Sequence, residues 1–136
     1  MKVVTFNIRC DYGQDGLNEF ANRKELILRK INQEKPDIIG FQEVLPHVAK
    51  WLKENLNEYY VIGCGRGANL RDEQMSIAYR RDVINLISME TWWLSQTPDV
   101  PGSRYEEQSS CPRTATEAVF EDIKSGKVFR FINRVE

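Results

Sequence analysis

Val3-Val4-Thr5-Phe6-Asn7-Ile8 and Asp37-Ile38-Ile39-Gly40-Phe41-Gln42, the second ending at Glu43, are the two stretches whose reading decides the fold. Both are short runs rich in β-branched residues, and both read as buried strands. Between them Phe20, Ile27, Leu28 and Ile31 recur at helical spacing with charges in between, which predicts an amphipathic helix over Glu19 to Glu34. Pro36 ends that helix, because its ring pushes Lys35 out of helical geometry. Pro46 suits the first turn of a second helix, whose apolar face is Val48, Trp51, Leu52 and Leu56. The segment 1–56 is therefore β-α-β-α.

The pattern then changes. Tyr59 to Ile62, Ser76 to Arg80, Ile84 to Leu94, Ala115 to Glu121 and Val128 to Asn133 read as strands. Ser125-Gly126 marks a turn between the last two, which predicts a hairpin. The connections at 63–75 and 95–112 are long for a compact domain, and long loops often carry function. No repeat, low-complexity tract or linker divides the chain, so residues 1–136 are expected to form one α/β domain.

Composition narrows the function classes. Hydrophobic residues are 41% and charged residues 29%, ordinary for a globular protein, and the formal net charge of -1 argues against a dedicated nucleic-acid binder. Phosphate chemistry stays open, because a bound divalent cation adds positive charge that a residue count omits. Cys10, Cys64 and Cys111 are odd in number and lack metal-site spacing, which reads as reduced thiols in a cytoplasmic protein. No signal peptide or run of transmembrane length is visible, so no membrane role is expected.

A strand-helix-strand crossover is nearly always right-handed and leaves its strands parallel. Asn7 and Glu43 then lie at the carboxyl ends of neighbouring strands, the edge where open α/β sheets gather ligands. An amide oxygen and a carboxylate suit a sparse Mg2+ site, since Mg2+ takes oxygen ligands and keeps several waters. Taken by themselves, the same residues read more readily as a turn-capping Asn and a solvated Glu, which are the commoner roles at strand ends. Gly63-Cys64-Gly65-Arg66-Gly67 lacks the Lys-Ser/Thr of a phosphate-binding P-loop and no strand-Gly-helix order surrounds it, so it is not read as a nucleotide site.

The motifs "VVTFNIR", "NRKELILRKINQEKPDIIGFQEV", "GCGR" at 63–66, "EQMSIAYRRD" at 73–82, "TWWLSQTPDVPGS" at 91–103 and "PRTAT" at 112–116 together resemble the endonuclease/exonuclease/phosphatase family, and specifically a bacterial branch of it. The resemblance spans almost the whole chain. It implies a partial deoxyribonuclease I-like sandwich, about the first half of a four-layered fold with two mixed sheets. It also implies hydrolysis of a phosphate mono- or diester with Mg2+ or Mn2+, acting on a phosphorylated small molecule or a nucleic acid. Glu43 matches the family's metal-ligand Glu, and Asn7 the Asn beside it. Glu73 and Arg113 match positions near the cleft and are expected to contact substrate, although Arg113 reads equally as a structural ion-pair residue. Arg9 follows the first strand within reach of a phosphate, with a solvated loop residue as the plainer alternative.

The family's later motifs have no counterpart. "VFRFIN" at 128–133 matches the approach to a Thr-His-Leu-Asp-like segment, but Arg134-Val135-Glu136 stands there instead. The single histidine, His47, sits beside Pro46 at a helix start, and its expected role is structural or solvent-facing. The chain is therefore expected to be the amino-terminal part of a phosphoesterase, inactive alone, or else a non-catalytic product of a truncated gene that self-associates as a homodimer through exposed sheet surface. Glu117 departs from the branch, where a Trp is usual, and is expected to face solvent. Of Trp92 and Trp93, one ring is expected in a core and the other outside it, because adjacent strand residues face opposite sides.

Overall fold

The computed structural model describes residues 1–107 and 110–135. Strand β1 (Val3–Asn7) is followed by a single 3-10 turn (Gly16–Asn18), helix α1 (Phe20–Glu34), strand β2 (Ile38–Gln42) and helix α2 (Pro46–Asn55). Strands β3 (Tyr59–Ile62), β4 (Ile77–Arg80), β5 (Ile84–Trp93), β6 (Thr114–Asp122) and β7 (Val128–Arg134) complete the domain. The expected elements are all present, with boundaries moved by at most one residue, but β1 is an edge strand of exposed and half-buried residues rather than the buried strand expected. The 3-10 turn lies in a polar Gly-containing stretch where no element was expected. The end of α1 shows how Pro36 acts: Lys35 takes the left-handed conformation (φ 46) while its amide still bonds to the Ile31 carbonyl.

The strands form two sheets. One has the order β1-β2-β4-β3 and is mixed: β1 runs parallel to β2, with Val3 opposite Ile38 and Asn7 opposite Gln42, while β4 is antiparallel to both β2 and β3. The other is the antiparallel sheet β5-β6-β7, with a bulge between Leu86 and Ser88 that leaves Ile87 outside the ladder. This mixed, two-sheeted α/β architecture is the sandwich implied by the sequence.

β2 sits between two cores. On one face Ile39 and Phe41 pack with Phe20, Ile27 and Ile31 of α1 and with Val48, Ala49 and Leu52 of α2. On the other, Ile38 joins Ile77, Tyr79, Ile84, Ala118 and Phe120 between the two sheets. A strand covered on both faces needs apolar residues at successive positions, which is why this segment is a continuous run rather than an alternation.

The inter-sheet space also holds an amide clasp. The Gln42 Nε2 donates to Asn133 Oδ1 (2.8 Å) and to the Gly40 carbonyl (3.0 Å). The Asn133 Nδ2 donates to the carbonyls of Phe41 (2.7 Å) and Ser76 (2.8 Å). A Cβ at Gly40 would stand only 3.0 Å from Asn133 Oδ1, so a side chain there would press on the clasp.

Trp93 is buried and its indole donates to the Arg66 carbonyl (2.8 Å), whereas Trp92 is half-buried on the opposite side of β5, as the alternation predicts. Glu117 is not simply solvated: it is half-buried and pairs with the Arg130 guanidinium across the β6-β7 ladder (2.8 Å). Among the described residues no helix is long and apolar enough to cross a membrane.

Candidate metal and substrate site

The parallel pair β1-β2 brings Asn7 and Glu43 to one edge of the mixed sheet. Glu43 directly follows β2 and adopts the left-handed conformation (φ 61), which swings its side chain out of the strand's alternation. The chain leaving β1 turns back across this edge. The Ile8 amide bonds to the Gln42 carbonyl (3.2 Å), and Arg9 then also adopts the left-handed conformation (φ 67). The Arg9 amide donates to Asn7 Oδ1 (3.0 Å), and the next amide, that of Cys10, donates to Glu43 Oε2 (2.8 Å). Two successive amides of one turn therefore each hold one of the two acceptors. The remaining lone pairs of both acceptors and the second carboxylate oxygen are hard oxygen donors.

Those donors fit a hard divalent cation that keeps most of its waters. Among the described residues there is no group of three or more His, Cys, Asp and Glu side chains placed to hold a metal, so the site stays sparse.

The other expected residues have different surroundings. The Arg9 guanidinium is exposed and grips Asp15 through both arms (3.0 and 2.8 Å), a pairing that raises the Arg9 pKa and lowers that of Asp15. Glu73 is buried, with its side chain 11% exposed, and bonds to the Arg66 guanidinium at 2.6 Å. Its carboxylate is also close enough to Cys10 and Tyr12 to act on both. Arg113 lies just before β6, exposed, and its guanidinium has no hydrogen-bond or ion-pair partner among the described residues.

Loop 63–75 ties these pieces together. It folds on itself through the bonds Gly65 to Leu70 and Gly67 to Arg71, and returns to the sheet where Gln74 pairs with Val44, next to Glu43. Gly65 is enforced by this packing, because an added Cβ would fall 2.1 Å from the Arg71 carbonyl oxygen. Within the loop Arg66 is buried between Asp72 and Glu73. Burial opposes its charge, but the two carboxylates outweigh burial and raise its pKa. Burial likewise works against ionised Asp72, yet the Glu73 amide and Arg66 hold the Asp72 carboxyl below its usual range. The Tyr12 hydroxyl also donates to Asp72 (3.2 Å).

Cys10 is buried, and burial above all, with Glu73 and Glu43 nearby, pushes its thiol up to about 12. It is therefore a neutral thiol at physiological pH and no nucleophile. His47 is exposed and its Nε2 lies 2.7 Å from Asp11 Oδ2, while Asp11 Oδ1 accepts from the Phe20 amide at the start of α1 (3.4 Å). The histidine thus fastens the first turn of α2 to the loop after β1. The Asp11-His47, Tyr12-Asp72 and Arg66-Glu73 pairs carry no local signal, since each joins residues that only the fold brings together.

With this geometry in place, the comparisons with known proteins are specific. Residues 4–105 match the model of the Endonuclease/Exonuclease/phosphatase family. An endonuclease/exonuclease/phosphatase from Bacteroides vulgatus superposes with a TM-score of 0.89 at 37% identity, over 95% of this chain and 49% of that one. The mannosyl-6-phosphatase Bt3783 from Bacteroides thetaiotaomicron superposes with a TM-score of 0.90 at 30% identity, over 97% of this chain and 50% of that one. An uncharacterised protein of Acanthamoeba polyphaga mimivirus is 32% identical over 108 residues, 74% of this chain and 40% of its own length. The chain thus spans about half the length of these solved relatives and less of the viral one. By its sequence and its fold, the chain belongs to the endonuclease/exonuclease/phosphatase family.

Proposed function

We propose that this chain forms the amino-terminal, cation-holding part of a phosphoesterase that hydrolyses a phosphate mono- or diester, with Mg2+ or Mn2+ held by Glu43 and Asn7. The observation that carries the reading is the convergence of those two side chains on the successive amides of Arg9 and Cys10. A cation bound there supplies charge stabilisation to a phosphoryl group. The protein's own part is positional. The Cys10 amide fixes one carboxylate oxygen of Glu43, and the Arg9 amide fixes the Asn7 amide group. Arg113, exposed and without a partner among the described residues, is the side chain we assign to an approaching phosphate, since a guanidinium pairs well with phosphate oxygens. Glu73 acts through its pair with Arg66 and sets the shape of loop 63–75. Arg9 can reach a phosphate only by leaving Asp15. Similarity to the mannosyl-6-phosphatase favours a small phosphate ester as substrate.

In this reading the chain supplies no counterpart of the family's His and Asp acid-base pair, because its single histidine, His47, stands at the start of α2 rather than in a matching motif. The 136-residue chain on its own is therefore expected to show negligible turnover of bis-para-nitrophenyl phosphate, single-stranded DNA or an inositol phosphate with Mg2+ or Mn2+. Calorimetry should nonetheless detect loose Mn2+ binding that Glu43→Ala removes. Robust turnover abolished by Glu43→Gln would overturn the first expectation, and Mn2+ binding unchanged in Glu43→Ala would move the site elsewhere.

A second reading, a self-associating domain without catalysis, is favoured by one observation. Val128 and Ile132, on the outer face of the three-stranded sheet, are 58% and 49% exposed. Apolar residues left on a sheet face favour association between copies.

A further inference from the structure

Loop 95–107 contains a cavity of about 640 Å3 lined by Ser95, Gln96, Thr97, Arg104, Tyr105, Glu106 and Glu107. That volume is within the range of sites that hold small organic ligands. Its frame is rigid for a loop. Ser95 is 6% exposed and its Oγ lies 2.7 Å from the Ser103 Oγ. The Ser103 hydroxyl donates to the Thr97 carbonyl (2.9 Å), and the Thr97 amide donates to Ser95 Oγ (2.9 Å). The Thr97 hydroxyl also lies within 3.4 Å of Ser95 Oγ. Gln96, Tyr105 and the Glu106 and Glu107 carboxylates, which line the cavity, are the groups left to present to a ligand among the described residues.

The chemistry of that lining is selective. Among the described residues it offers donors and acceptors in quantity, one aromatic surface, Tyr105, and no aliphatic wall, which disfavours a lipid tail. One arginine stands against two glutamates, so the lining is net acidic. A nucleic-acid backbone wants a cationic track and finds the opposite here. A neutral, hydroxyl-rich group fits both conditions, since each hydroxyl donates and accepts, and a sugar ring stacks on an aromatic face.

The cavity is also tied to the candidate cation site. Gly102 packs its backbone against Ala68, with φ 80 and no room for a Cβ, which would fall 2.8 Å from the Ala68 Cβ. Trp93, two residues before Ser95, bonds to the Arg66 carbonyl. Ala68 and Arg66 belong to loop 63–75, whose Gln74 pairs with Val44 beside Glu43.

We infer that this cavity holds the glycosyl or other polyol part of a phosphate ester whose phosphate is directed to Glu43 and Asn7, an inference that rests on the phosphoesterase reading above. The test uses the full 136-residue chain, isotopically labelled, with methyl α-mannopyranoside, which carries no phosphate, as the probe. Amide shifts confined to residues 95–107, weakened about tenfold by Tyr105→Ala, are expected. Glu106→Gln combined with Glu107→Gln should weaken the shifts as well. Tyr105, Glu106 and Glu107 are exposed, so these changes leave the core intact. In parallel, Mn2+ should broaden the amides of Arg9, Cys10 and Glu43 equally in wild type and in Tyr105→Ala. A glycoside that leaves 95–107 unmoved, or moves them equally in all variants, overturns the inference. So does a short oligothymidylate that shifts those amides when the glycoside does not. If the glycoside binds while Mn2+ fails to broaden Glu43, the phosphoesterase reading falls and the polyol pocket stands.

Discussion

β2 and β7 both contribute to the space between the sheets, but every residue of β2 is buried while β7 alternates between exposed positions and half-covered ones, with Asn133 alone buried. The difference is one of layers. β2 lies in a sheet with helices on one face and a second sheet on the other. β7 lies in a sheet whose inner face alone joins a core, through Phe129 and Phe131. Complete burial and apolar continuity thus mark the part of the molecule that closes on itself. Alternation marks the part whose outer face meets water or another protein surface.

Substitutions should separate the two regions by size of effect. Phe41→Ala, in the doubly covered strand, should cost about 3–5 kcal/mol in chemical denaturation, and Phe129→Ala only about 1–2 kcal/mol, because its ring is half-covered. Equal losses would show that the second sheet is as tightly enclosed as the first. Asn133→Ala tests the clasp between the regions. It removes one of the acceptors of the Gln42 amide and the side-chain donor to the carbonyls of Phe41 and Ser76, while Gln42 keeps Thr5 and Gly40 and Ser76 keeps the Phe41 amide, and it should cost roughly 1–2 kcal/mol. A loss under about 0.5 kcal/mol, the size of an ordinary surface change, would show that water replaces the amide.

The bare face makes the next contrast. Light scattering over a dilution series should show a homodimer that Ile132→Lys converts to monomer, with folding stability moved by less than about 0.5 kcal/mol. A wild-type monomer at every concentration would show that this face needs no cover. The smallest effect concerns acid. The folded Asp72 carboxyl lies below its usual value, so its stabilising contribution is complete above the unfolded pKa of about 3.9 and is lost as pH falls through the folded value. Asp72→Asn should flatten the acid limb of the stability curve slightly. An unchanged limb would mean that Arg66 and Glu73 hold loop 63–75 without it.

Much of this arrangement was legible in the sequence, and the rest was not, for physical reasons. Strand and helix positions follow from local periodicity and from Pro36 and Pro46, which act within a residue or two. The meeting of Asn7 and Glu43 follows from the handedness of one crossover. The Gln42–Asn133 clasp joins residues 91 apart, and nothing in either neighbourhood announces it. The Arg66–Glu73 pair is close in sequence, yet its burial depends on loop 63–75 folding back to Val44. Arg9 looked available for phosphate, and only the fold shows Asp15 in its grip.

The backbone at Glu43 carries one more implication. A non-glycine residue at φ 61 costs roughly 1 kcal/mol, which Glu43→Gly would recover. The same change would release the Cys10 amide from its carboxylate partner, a loss of about the same size. The two contributions oppose each other and are of similar order. Folding alone thus gives a carboxylate at this turn only a small net advantage over glycine, because the strain it brings offsets much of the bond it makes.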